Sequence, residues 1–128
     1  MASYLLDSSV IIDVINDKRE RPKLLQKLVE EHHELGCCAI NVAEVYAGML
    51  PHEESATLGI LENLNYFDIT WDIARKAGLL KRDFARKGKT LALADVTIAA
   101  VAIENNLILI TDNVRDYPMK ELKLYVLK

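Results

Sequence analysis

The sequence predicts an α/β fold, a parallel sheet with helices on both faces. Two observations carry this. Short apolar runs of strand length alternate with amphipathic helical stretches through most of the chain. The segment from Asp95 to about Asn105 is apolar on nearly all sides, which is the pattern of a helix buried in a core. With 128 residues, 51% of them hydrophobic, the chain reads as one domain over 1–128 able to bury a real core.

The elements follow in order. Residues 3–6 form a short apolar strand, and Ser9 to about Ile15 a helix. Pro22 suits the first position of the next helix, where its missing N–H costs nothing. Leu24, Leu25, Leu28 and Val29 give that helix its spacing to about His33, and Gly36 is expected to stop it. Cys37 to Ile40 reads as a second strand. Asn41 opens a helix from Val42 to about Leu50, ended by Pro51. A helix from Glu53 to about Leu64 and a strand from Tyr66 to Ile69 come next. Thr70 or Asp72 caps a long helix that Gly88 ends near Lys87. Leu107–Thr111 and Leu122–Leu127 complete the strands.

No apolar run has the length of a spanning helix, and no basic start precedes a long apolar stretch, so a cytoplasmic location is expected. Adjacent Cys37 and Cys38 lack the spacing of a metal or redox pair and read as core residues on opposite strand faces. His32, His33 and His52 read as surface residues. The net charge of −3 argues against a general nucleic-acid coat protein, but not against an enzyme whose acids hold cations.

In a parallel sheet with right-handed crossovers the strand C-termini gather on one edge, where ligands bind. Carboxylates collect there. Asp7 ends the first strand in "YLLDSSVIID". Glu44 follows the second in "NVAEVYAG". Asp95 starts the buried helix in "LALADVTIAAVAI", and Asp112 and Asp116 follow the fourth strand in "ILITDNVRDY". Grouped carboxylates raise each other's pKa. A divalent cation relieves that repulsion, and oxygen donors suit Mg2+ or Mn2+. Each acid has a plainer alternative. Asp7 could cap the first helix, Glu44 could complete a capping box with Asn41, Asp95 could favour a helix start, and Asp112 and Asp116 could be turn residues. Residues 75–89 hold seven basic side chains, Arg82, Arg86, Lys87 and Lys89 among them, against Asp83 alone. Such a stripe could hold an RNA backbone or could be a solvated helix face.

These four segments, in this order and spacing, resemble the PIN-domain nucleases, and within them the VapC-type toxins of toxin–antitoxin pairs. The resemblance covers essentially the whole chain. It implies a five-stranded parallel sheet of order 3-2-1-4-5, a magnesium-dependent endoribonuclease with manganese as a substitute, a cognate antitoxin and a homodimer. It implies Asp7 and Asp95 as principal metal ligands and Glu44 as the third acid. Ser9 and Thr111 match supporting hydroxyl positions. The fourth position falls among Asp112, Asn113 and Asp116, with Asp116 favoured because the family loop places its second acid there. Two other readings are a phospho-acceptor receiver-like domain, which normally needs paired acids after its first strand where "LDSS" has one, and a PIN fold that has lost catalysis and serves as a binding module.

Overall fold

The computed structural model describes residues 1–127. Five strands, β1 (Ser3–Leu6), β2 (Glu34–Cys38), β3 (Asn65–Phe67), β4 (Ile108–Thr111) and β5 (Lys123–Val126), form one sheet in the order β3-β2-β1-β4-β5. Every neighbouring pair is parallel. Six α-helices connect them: α1 (Ser8–Ile15), α2 (Arg21–Glu30), α3 (Ala39–Gly48), α4 (Glu54–Leu61), α5 (Trp71–Arg86) and α6 (Leu93–Glu104). The expected fold class and strand order are both present.

Strand alternation divides the buried side chains between two cores. Tyr4 and Leu6 of β1, Leu35 and Cys37 of β2 and Ile110 of β4 face the helices α1 to α4. Leu5, Cys38 and Leu109 face α5 and α6. Both cysteines are buried and free, one in each core. The buried residues of α6 run without a break from Val96 to Ala102, because α6 lies between the sheet and α5. The Thr70 hydroxyl caps α5 by accepting from the Ile73 N–H at 3.2 Å, and Gly88 follows the helix at φ +86°.

Several boundaries differ from the sequence reading. Helix α2 ends at Glu30, and His32 turns the chain at φ +66°. Gly36 is no helix stop. It lies inside β2, where an added Cβ would stand 2.5 Å from Phe67 Cε2 and 2.9 Å from the Asn65 carbonyl on the neighbouring strand. Strand β2 ends at Cys38, so α3 starts three residues before the expected Val42. Helix α4 ends at Leu61, and β3 is only three residues long. His33 is half-buried: its Nδ1 accepts from the Ala2 N–H at 3.0 Å and its ring meets Tyr4 edge-on. Among the described residues no helix is long and apolar enough to cross a membrane.

Candidate active site

Asp7 leaves β1 with its N–H still donating to the Ile110 carbonyl at 3.0 Å, so the sheet holds its backbone. It is also the N-cap of α1, Oδ1 accepting from the Ser8 N–H at 2.8 Å. Capping uses one oxygen. The other, Oδ2, accepts from the Thr111 hydroxyl at 2.7 Å across the β1–β4 boundary. Thr111 is fully buried and its Oγ1 also accepts from the Asn113 N–H at 2.9 Å, which pins the start of the following loop. Asp7 is buried, and burial raises its carboxyl above the ordinary value against the lowering effect of Thr111 and Ser8.

Glu44 comes to the same edge by a different route. Because α3 begins at Ala39, Glu44 lies in the middle of the helix, and the capping alternative for it does not hold. The cap belongs to Asn41, whose Oδ1 accepts from the Cys38 N–H at 2.8 Å. Asn41 is fully buried, and its Nδ2 donates to the Leu6 carbonyl at 3.1 Å and to Ser8 Oγ at 3.0 Å. Ser8 in turn donates to Glu44 Oε1 at 2.6 Å. One buried amide thus ties the ends of β1 and β2 and, through Ser8, orients an acid that is itself exposed. The serine that reaches Glu44 is Ser8, not Ser9.

Asp95 occupies the first turn of α6, half-buried. Its carboxyl is pushed up to about 6, first by burial, then by the charges of Asp116, Asp7 and Glu44. Asp116 closes a single 3₁₀ turn, Val114–Asp116, so the tight turn that could bring it back toward the edge is formed. Asp112 points elsewhere. Its Oδ2 pairs with Arg19 at 2.9 Å and lies 3.6 Å from Arg21, and its Oδ1 accepts from Ser9 at 3.3 Å. Arg19 reaches it from a loop in which Asp17, Arg19 and Glu20 adopt left-handed backbone conformations, and Arg21 from the first residue of α2. Ser9 and Asp112 therefore belong to an ion-pair cluster beside the acids, and Asn113 contributes its backbone N–H.

Tyr117 was not singled out by its residue type. Its ring is buried, and its hydroxyl lies near enough to Asp7 and Asp95 to lower both carboxyl groups, though it forms no fully aligned hydrogen bond. The phenol is pushed well above its ordinary value by burial and by the same carboxylates.

The donor set fits a hydrated hard cation better than a caged one. Asp7 and Asp95 offer carboxylate oxygens whose charge is disfavoured by burial and by neighbouring acids, which is the situation a cation relieves. Among the described residues no three acid, imidazole or thiol groups stand together at metal-ligand spacing. Mg2+ commonly takes one or two carboxylates and fills its shell with water and substrate phosphate, so two principal acids suffice.

The basic stripe is only partly free. Lys76 lies between Glu104 and Glu121, Lys81 donates to the Leu91 carbonyl, and Arg82 pairs with Asp83. Arg86, Lys87 and Lys89 are exposed at the C-terminal end of α5. The short link 87–92 joins that end to the start of α6, which carries Asp95.

The PIN domain family matches residues 4–121. Ribonuclease VapC2 of Haemophilus influenzae is 30% identical over 122 residues, 91% of each chain. Ribonuclease VapC19 of Mycobacterium tuberculosis is 29% identical over 115 residues, 90% of this chain and 92% of that one. Among solved structures, VapBC2 from Rickettsia felis bound to a promoter DNA fragment superposes with a TM-score of 0.83 at 22% identity, over 98% of this chain and 99% of that one. A toxin–antitoxin complex from Klebsiella pneumoniae gives 0.76 at 27% identity, over 97% and 99%. The fold, the order of its acid-bearing segments and these relatives set aside the receiver-like reading: the chain belongs to the PIN-domain family, among the VapC ribonucleases.

Proposed function

We propose that the protein is a divalent-metal-dependent endoribonuclease, the toxin of a toxin–antitoxin pair. The observation that carries this reading is the effect on Asp95, whose carboxyl feels Asp7, Glu44 and Asp116 from three other parts of the chain. In this reading Asp7 and Asp95 hold Mg2+ or Mn2+, Glu44 is the third acid and Asp116 the fourth. A bound cation supplies a lowered pKa for water and charge stabilisation for the oxygens of a phosphodiester under attack. Thr111 and the Ser8 N–H keep Asp7 oriented. Ser8 and Asn41 keep Glu44 turned to the edge. Arg86, Lys87 and Lys89, with Arg82 shared with Asp83, attract the RNA backbone to an otherwise acidic edge.

The same reading gives the protein a cognate antitoxin, since VapBC and toxin–antitoxin complexes stand among its structural neighbours. It also gives a homodimer in the cytoplasm. Trp71 and Leu93, 84% and 60% exposed, are apolar surface that a protein partner would cover. The test is cleavage of a mixed RNA substrate by purified protein with EDTA, Mg2+ or Mn2+, beside Asp7→Asn and Asp95→Asn. Metal-dependent cleavage lost in both variants is expected. Equal cleavage by wild type and either folded variant would sink the assignment, and a wild type inert with every metal and RNA would leave the binding-module reading.

A further inference from the structure

The sequence "RDY" ends the loop that carries Asp116, and its last residue has no role in the reading above. Tyr117 is 2% exposed and packs in the core facing α5 and α6. Phenylalanine would fill that space without a polar atom. The tyrosine instead carries a hydroxyl to within reach of Asp7 and Asp95, lowering both carboxyl groups as a donor does, without a fully aligned hydrogen bond to either. A buried hydroxyl without a partner calls for a physical reason. Here the hydroxyl acts on the Asp7 and Asp95 carboxylates, and a phenol is a donor toward carboxylates. The 3₁₀ turn Val114–Asp116 sets its position, because the Tyr117 N–H donates to the Val114 carbonyl at 3.0 Å. The turn that returns Asp116 thus also inserts this hydroxyl.

We propose that Tyr117 is a positioning residue of the acidic site, its O–H donating to the Asp7 and Asp95 carboxylates and setting their orientation toward a divalent cation. This rests on the metal-dependent reading of the site. The hydroxyl already opposes the effect of burial on both carboxyl groups, as a donor to them does. Asp7 then has donors on both sides, Thr111 from β4 and Tyr117 from the loop beyond it. Asp95, at the start of a helix with no side-chain cap, gains a hydroxyl donor. Groups that hydrogen-bond to ligating carboxylates typically change metal affinity by about 10- to 100-fold when removed.

The test is Tyr117→Phe, which keeps the ring and removes only the oxygen. Mn2+ binding to the metal-free protein is measured by isothermal titration for wild type, Tyr117→Phe and Asp7→Asn, together with the melting temperature of each in EDTA. The expected result is an affinity at least about tenfold lower in Tyr117→Phe, with a melting temperature in EDTA equal to or above that of wild type. Equal affinity would overturn the inference and leave the metal site standing. An affinity loss matched by a fall in metal-free melting temperature would also overturn it, because the hydroxyl would then be structural. Wild type that binds no Mn2+ would overturn the metal reading itself and this inference with it.

Discussion

Replacing Asp95 with asparagine removes one charge from a place where three other acids already act. The carboxyl stands at about 6 rather than 3.8, so the folded protein holds this proton more tightly than the unfolded chain does. Stability from that proton is therefore complete below about pH 4 and is lost as the pH rises through about 6. At about 1.4 kcal/mol per pH unit the displacement corresponds to at most ~3 kcal/mol. Asp95 is partly open to water, and screening reduces this to roughly 1–2 kcal/mol. The carboxylate also interacts favourably with the N-terminal end of α6, by about 0.3–1 kcal/mol, which asparagine gives up. Asp95→Asn should thus stabilise the metal-free protein by about 1 kcal/mol at pH 7.5, or roughly 3–5 °C in melting temperature. The gain should vanish at about pH 3, where Asp95 is neutral in the folded and the unfolded chain alike. Thermal unfolding in EDTA at both pH values measures it. Millimolar Mg2+ should then raise the wild-type melting temperature more than that of the variant. A variant less stable than wild type at pH 7.5, or equally shifted at both pH values, would refute the reasoning.

Other substitutions test the scaffold and the loop. Gly36→Ala should lower stability by about 1–3 kcal/mol in chemical denaturation, because its Cβ would press on Phe67 and the Asn65 carbonyl. Asn41→Ala removes three buried hydrogen bonds and should cost about 2–4 kcal/mol, with Glu44 losing its orientation and cleavage falling alongside. Asp112→Ala should lower the melting temperature by leaving the buried Arg21 with less compensation, while the Mg2+ dependence of cleavage stays as in wild type. Asp116→Ala should show the reverse, a near-normal melting temperature and weak cleavage partly restored by high Mg2+. Exchange of those two outcomes would make Asp112 the fourth acid.

Periodicity and end signals were enough to read most elements, because they are local. Thr70 and Gly88 bracket α5 as their chemistry requires, and the apolar run after Asp95 is the helix at the centre of one core. Gly36 reads as a helix stop in the string, because the side chain that requires it, Phe67, is far away in sequence. Asn41 beside Glu44 has the local form of a capping box, yet the acceptors that bury it, the Leu6 carbonyl and Ser8 Oγ, come from the other end of a crossover. Ser8 and Ser9 are indistinguishable in a string. A helix that begins at Ser8 turns one toward Glu44 and the other toward Asp112. The acids could be read because carboxylates at strand ends are costly without a purpose. Tyr117 could not, because an aromatic residue after a turn looks like core, and here it is core as well.

The four acids lie at positions 7, 44, 95 and 116, on separate segments beside a sheet whose middle strand is made first and whose outer strand β5 is made last. During synthesis the first two acids emerge long before the others, and no product ending before residue 116 contains the complete set. The proposed nuclease would therefore remain silent on the ribosome until nearly the whole chain has emerged. The same arrangement makes the link between α4 and β3 a natural cutting point. Each half would carry two acids and an incomplete sheet, so activity from a mixture of the two would report their reassembly.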